Sequence, residues 1–262
     1  VFVEERRQRV LDLLAQKGAM ALAELAAVVE ASESTLRRDL DYWTKRGVIR
    51  RTHGGAVYIG DGAALPPLEE RADRSIEEKR QIARAAAERI RDGEAILLDG
   101  GTTTIEVARQ LVGRPLQVVT NSLPIAQLFA NSREADLVMI GGYVFPRTGV
   151  ALGPFAVRMM EDIHVHQTIL SVGGMNAKGL FNSNLLLVEA ERRMMRCADE
   201  VVVVADHTKV GRQALAFLCE WSAIDTLIVD AGLSDDQRRL LADTGVRLIV
   251  AGEPTTEDEF SP

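Results

Sequence analysis

Apolar residues follow two rhythms along the chain. Before residue 46 they recur every three or four positions; beyond residue 95 they come as short unbroken runs. In "EERRQRVLDLLAQK" (4–17), Val10, Leu11, Leu13 and Leu14 share one helical face, and Gly18 stops that helix. "LAELAAVVE" (22–30) predicts a second short helix. Ser32 is a good N-cap, with Glu33 in the first turn of a third helix that runs to Gly47, a residue suited to the position just past a helix end. "VIRRTHGGAVYI" (48–59) predicts a β-hairpin turning at Gly54–Gly55. Three helices and a hairpin make a winged helix-turn-helix, placed over residues 1–59.

"GDGAALPPLEER" has linker composition, and a linker is expected over residues 60–74. A long helix follows in "SIEEKRQIARAAAERIRDG" (75–93). Seven strands are then predicted, at 95–99, 116–120, 136–141, 167–173, 200–206, 225–230 and 247–252, with helices between them. Their runs do not alternate, so both faces of each strand are expected to be buried. That predicts an α/β domain with a mostly parallel sheet over residues 75–252. An acidic tail, residues 253–262, closes the chain.

With Leu36 of the third helix set inward, Leu40 and Trp43 fall on the same face at 100° per residue. Ser34, Arg38, Asp41 and Lys45 fall outside, with Arg37 and Tyr42 at the flanks. A helix so placed offers Ser34, Thr35, Arg37, Arg38, Tyr42 and Lys45 to double-stranded DNA, and the hairpin adds Arg50, Arg51 and His53. Asp41 would repel phosphates unless paired, and Arg37 and Lys45 are the expected partners. The net charge of −7 argues against a nucleic-acid partner. Its distribution changes that picture: residues 1–57 hold 10 Lys/Arg against 8 Asp/Glu, and the remainder holds 21 against 30.

The chemistry of the second domain gathers at predicted strand ends. "ILLDGGTTTIEVARQL" (96–111) runs strand, Asp99, a loop of Gly100, Gly101, Thr102, Thr103 and Thr104, then helix. Converging amides, hydroxyls and a helix N-terminus suit a phosphate. The loop lacks a Walker lysine and does not follow GxGxxG, so nucleoside triphosphates and dinucleotides fit poorly. Thr120 and Asn121 repeat the scheme after the next strand. Gly142 and Gly153 add turns, and Asp206, His207 and Lys209 follow another strand. Together these groups match a polyhydroxylated anion. Cys197 and Cys219 are expected as buried free thiols. His164 and His166 lie two apart with no ligand set around them, so no metal site is expected, and no cofactor. No apolar run reaches the ~18 residues of a membrane span, so no membrane partner is expected and the location is cytoplasmic by default.

The stretch "LAELAAVVEASESTLRRDLDYWTKRGVIRRTHGGA", with "STLRRDL", Gly47 and "RRTHGGA", resembles the N-terminal domain of the DeoR family of bacterial transcriptional regulators. The later motifs, in order, resemble that family's sensor domain, which is similar in fold to ribose-5-phosphate and glucosamine-6-phosphate isomerases. The resemblance covers residues 4–252. It implies a repressor of a sugar-catabolism operon, a phosphorylated sugar or sugar derivative as effector, and a homo-oligomer, dimer or tetramer. It places Asp99, Gly101, Thr102, Thr103, Thr120, Asn121, Lys209 and Glu189 in the effector pocket. The chain departs from the pattern at Leu186 and Leu187, where acidic residues are expected, and at His166, where an Asp is expected. The first departure either removes a polar contact or shifts it to Asn182, Ser183 or Asn184. Two other readings stay open. A sugar-phosphate isomerase with an appended DNA-binding domain would need a positioned base, which Asp99, Glu189, Asp206 or Lys209 can supply. A constitutive architectural DNA binder would need no pocket and broader basic charge.

Overall fold

Short helices that bury few residues each must share one core, and in the first unit they do. The computed structural model describes residues 3–17, 19–45, 49–52, 54–58 and 68–253, and the chain divides into units at residues 1–65 and 66–262. The first contains α1 (Val3–Lys17), β1 (Ala19–Ala21), α2 (Leu22–Val29), α3 (Glu33–Lys45), β2 (Ile49–Thr52) and β3 (Gly55–Tyr58). Val10 and Leu14 of α1, Leu25 and Val29 of α2, and Leu36 and Leu40 of α3 meet Met20, Ile49 and Ala56 in one apolar cluster.

The wing is larger than a hairpin. β1 pairs antiparallel with β3, giving a three-stranded sheet in the order β1-β3-β2. Gly55 makes this possible: a Cβ there would stand 2.2 Å from the Met20 carbonyl oxygen. Gly55 is thus a strand residue, paired with Thr52 and Ala21, and the turn precedes it.

The second unit contains α4 (Leu68–Asp73), α5 (Ile76–Glu88), β4 (Ala95–Leu98), α6 (Thr102–Leu111), β5 (Gln117–Thr120), α7 (Leu123–Phe129), β6 (Asp136–Met139), β7 (Tyr143–Phe145), β8 (Val150–Leu152), α8 (Pro154–Met159), β9 (Val165–Ser171), β10 (Gly174–Asn176), β11 (Gly179–Asn182), α9 (Leu185–Met195), β12 (Ala198–Val204), β13 (Ala216–Cys219), β14 (Thr226–Asp230), α10 (Asp235–Ala242) and β15 (Arg247–Ala251). All seven predicted strands join one parallel sheet, ordered β15-β14-β12-β9-β4-β5-β6. Alternate side chains enter opposite cores. Ile96, Leu98 and Ile169 face a cluster with Ile82, Ala86 and Leu111, whereas Leu97 and Leu170 face one with Val188, Met194 and Trp221.

Two smaller pieces lie outside the sequence expectation. β7 and β8 form an antiparallel arm, and β10, β11 and β13 form a three-stranded sheet. The expected linker also ends early, because residues 68–73 form α4. The Lys79 ammonium, buried in α5, donates to the carbonyls of Arg71 (2.5 Å), Ala72 (3.3 Å) and Arg74 (2.5 Å) and so holds the C-terminal end of α4. Residues 60–67 of the expected linker and 254–262 of the expected tail lie outside the described residues, as do Gly18, Gly47 and His53.

Connection order sets where a ligand can enter. From β4 the chain builds outward through β5 and β6. It then returns to place β9 on the other side of β4 and continues to β12, β14 and β15. The β4–β9 boundary is therefore the topological switch point, and the crevice beyond its carboxyl ends is where open parallel sheets take ligands.

Candidate functional site

Asp99 and Ser171 follow and end the two strands at that boundary. The Ser171 hydroxyl donates to Asp99 Oδ2 at 3.1 Å. Asp99 is buried, and burial pushes its carboxyl above the usual range. The amides of Gly100 and Ser171, the Ser171 hydroxyl and the Arg71 guanidinium oppose that rise. Gly100 and Gly101 are required by close approach rather than by a left-handed backbone. A Cβ on Gly100 would stand 1.9 Å from Val150 Cγ1, and one on Gly101 would stand 1.7 Å from Ser171 Oγ. Gly101 is the extended N-cap of α6 and supplies no side-chain cap, so the first amides of α6 have no cap from that residue. By contrast Ser122, Asn184 and Ser234 cap α7, α9 and α10 with their own side chains.

The expected pocket residues divide. Thr102 is half-buried at the start of α6, and Thr103 is buried. Thr104 is fully buried and spends its hydroxyl on the Gly101 carbonyl at 2.7 Å. Thr120 likewise donates to Leu98 O at 2.7 Å and accepts from the Ser122 amide at 3.1 Å, so its hydroxyl ties β5 to β4. Asn121 is buried. Its Nδ2 donates to Ala151 O at 3.1 Å, and its Oδ1 has no hydrogen-bond partner. Gly142 is exposed beside Leu152, and Gly153 takes a positive φ of 88° as the N-cap of α8. Lys209 is half-buried in a short 3-10 turn (His207–Lys209), where the Asp206 side chain accepts from the Thr208 amide and Asp230 from the His207 amide. Its charge and that of Arg71 depress the Lys79 ammonium, after burial, while Asp206 and Glu106 act the other way. These groups therefore share the carboxyl end of the sheet with Asp99.

Glu189 is exposed, and the buried acid of α9 is Glu191. Asn182 Nδ2 donates to Glu191 Oε1 at 2.5 Å, and Oε2 has no partner. Burial first, and then the charge of Asp99, hold the Glu191 carboxyl well above its usual range. A signal for this lay in the sequence. Leu187, Val188, Glu191 and Met194 share one helical face, which Glu189 does not. Leu187 is buried in the core and Leu186 is exposed, and of the polar residues before α9 Asn182 is spent on Glu191. His166 stands near the start of β9, at the far end of the strand from Ser171, within 3.7 Å of Glu94 and 3.8 Å of Asp199. Its departure from the pattern does not reach the switch point. Both cysteines are buried free thiols. Among the described residues no group of three or more His, Cys, Asp or Glu is placed to hold a metal ion, and no helix is long and apolar enough to cross a membrane.

In the first unit, Ser34, Arg37, Arg38, Asp41 and Lys45 of α3 are exposed, as the helical face predicts. Arg37 pairs with Glu33 at 3.3 Å. Asp41 pairs with Arg51 of the wing at 2.6 Å, not with Arg37 or Lys45. Thr35 is half-buried at the helix start, its hydroxyl 2.9 Å from that of Ser32. Tyr42 is half-buried, with the Arg7 guanidinium 4.0 Å from its ring centre, so it braces α1 against α3 rather than standing free. Sequence reasoning missed Asp39. It is 1% exposed and holds Arg6 at 2.7 Å and Arg7 at 3.1 Å. Trp43 donates its indole N–H to Arg7 O at 2.9 Å. Arg50 lies in β2; its side chain is outside the described residues.

Comparison with known proteins agrees with this two-part architecture. Residues 6–61 match the DeoR-like helix-turn-helix domain, and residues 74–231 match the DeoR C-terminal sensor domain. The HTH-type transcriptional regulator YulB of Bacillus subtilis is 30% identical over 95% of this chain and 96% of its own length. The HTH-type transcriptional repressor GlcR of the same organism is 28% identical over 98% of this chain and 100% of its own length. Ribose 5-phosphate isomerase A from Methanocaldococcus jannaschii is similar over 50% of this chain and 52% of its own, with 18% identity and a TM-score of 0.37. With both domain matches in order along one chain, and regulators matched end to end, this protein belongs to the DeoR family of helix-turn-helix transcriptional regulators.

Proposed function

We propose that this regulator represses a sugar-catabolism operon and that a phosphorylated sugar, bound at the β4–β9 switch point, sets its grip on operator DNA. The observation that carries the reading is the Asp99–Gly100–Gly101 turn into α6. It offers amides without a side-chain cap beside a carboxylate, at the place where a parallel sheet opens. The phosphate goes to the α6 amides, with Lys209 as counter-charge. Asp99 would repel it there and instead accepts from sugar hydroxyls. α3 enters the major groove with Arg38 and Ser34 toward the bases, and the wing reaches a neighbouring phosphate. A location in the cytoplasm beside the DNA goes with this role.

In this reading the second unit binds its ligand without converting it. Product formed from a panel of sugar phosphates would overturn that half. A homo-oligomer also goes with it, supported by large apolar side chains left exposed on the second unit, Phe155 at 78% and Leu185 at 72%. The test of the whole is operator binding titrated with sugar phosphates. Asp99→Ala and Lys209→Ala should bind operator normally and respond only at tenfold or higher effector, from the ~1–3 kcal/mol lost with a buried polar partner. Unchanged midpoints in both would place the effector elsewhere.

A further inference from the structure

α5 stands with its first turns at the ligand end of the sheet. Just past its last residue, Arg89 pairs with Glu200, near the start of β12, at 2.5 Å. Near its beginning, Gln81 Oε1 would lie 4.0 Å from a Cβ on Gly252, just past the carboxyl end of β15. Lys79, two residues before Gln81, is 3% exposed, and its three ammonium donors are spent on the carbonyls of Arg71, Ala72 and Arg74. α4 itself buries no residue and leans on α6, the helix that opens at the glycine loop. Between α4 and α5, Ser75 takes a left-handed backbone, φ 51° and ψ 43°. That conformation is costly for a residue other than glycine and persists only where the surroundings hold it. Residues 68–88, "LEERADRSIEEKRQIARAAAE", contain neither glycine nor proline, so their composition favours one continuous helix over two. The corner is therefore imposed from outside the segment's own preferences, and the Lys79 ammonium bonds to carbonyls on the α4 side of it.

Resting on the sugar-phosphate reading above, we infer that α4 is a two-state latch, either bent at Ser75 onto Lys79 or straight and continuous with α5, and that bound effector favours the bent form. α4 is the first helix of the second unit, so its state fixes the point from which the chain leads back to the DNA-binding unit. The bias comes from charge. Burial works against the Lys79 ammonium; Asp206 and Glu106 favour it, and Lys209 and Arg71 oppose it. A phosphate dianion on the α6 amides, with Lys209 as counter-charge, adds to the favourable side and cancels part of the opposition. The ammonium, and with it the three carbonyl bonds, then holds more firmly. Lys79 has no donor left for the effector itself, so it is a positioning residue. When α4 straightens, the same ammonium is uncovered to water, and neither state strands a buried charge.

The test is amide hydrogen exchange on the full chain, read over residues 69–75 and over the first turn of α6, together with operator titration. The probes are inorganic phosphate, ribose 5-phosphate and glucose 6-phosphate. A probe that protects the first turn of α6 should also slow exchange over residues 69–75. Without any probe, Ser75→Gly, which takes the left-handed backbone freely, should slow exchange there about threefold. Ser75→Ala, the better helix former, should quicken it. Lys79→Met should quicken it about tenfold or more and leave it indifferent to the probe, while α6 is still protected. On operator DNA, Ser75→Gly should shift affinity in the direction the bound probe shifts it, and Ser75→Ala in the other. The two Ser75 variants carry the test if Lys79→Met does not fold. A probe that protects α6 but not residues 69–75, or Ser75 variants that exchange and bind operator as wild type does, overturns the inference while the sugar-phosphate reading stands. No protection anywhere in the second unit by any of the three probes overturns both.

Discussion

Asp39 and Glu191 are both 1% exposed, yet they are held in opposite ways. Asp39 sits between two guanidinium groups; Glu191 accepts from one amide, and burial and the charge of Asp99 oppose its ionisation. Asp39→Ala leaves Arg6 and Arg7 part-buried without their counter-charge. The cost should be ~2–4 kcal/mol of the first unit's stability, read as an earlier thermal transition and weaker DNA binding, with the second unit unchanged. For Glu191 the sign reverses. A carboxyl whose folded pKa is raised favours the folded state when protonated, and that contribution is lost as pH rises from the ordinary carboxylate range through the raised value. Wild type should therefore lose stability over this window relative to Glu191→Gln, which cannot ionise; parallel unfolding profiles for the two would contradict the burial argument. Arg38, exposed at the centre of α3, carries specificity in this scheme. Arg38→Ala should cost ~1–3 kcal/mol on operator and less on random DNA, and an unchanged ratio between the two would remove it from base recognition.

At the scale of elements, glycine contacts set two expectations. Gly55→Ala drives a Cβ into the Met20 carbonyl, a backbone atom that cannot swing away. It should part β1 from β3 and weaken binding to all DNA sequences alike, measured by titration on operator and random duplexes. The elements themselves were unevenly legible. The seven parallel strands stood out because burial on both faces demands continuous apolar runs, and all seven were found within a few residues of their bounds. The arms β7, β8, β10 and β11 are three or four residues long and broken by glycine, too short for a period to register. α4 hid in "LEERAD", where Leu68 is the only large apolar residue; it is held by the Lys79 ammonium, a contact from another helix. Around the candidate site, Asp99 and the glycine loop were plain from strand-then-loop order. Ser171 and Arg71 were not, because the sheet order and α4 bring them in from distant parts of the chain.

For the whole molecule, the proposed homo-oligomer, with a helix-turn-helix unit in each copy, predicts two-fold symmetry on DNA. Half-sites should lie whole helical turns apart, ~34–36 Å or multiples, and footprinting over a single half-site would contradict it. The ion pair between Asp41 of α3 and Arg51 of the wing has a consequence at this scale. DNA binding draws much of its strength from releasing the counterions condensed on phosphates, one for each protein cation that replaces them. Arg51 and Arg37 arrive with carboxylates already beside them, so each replaces less than a full ion. The slope of log affinity against log salt should fall short of the number of arginines and lysines on this face. A regulator built this way gives up some raw affinity for the double helix and keeps its hold steadier as the ionic strength of the cell swings.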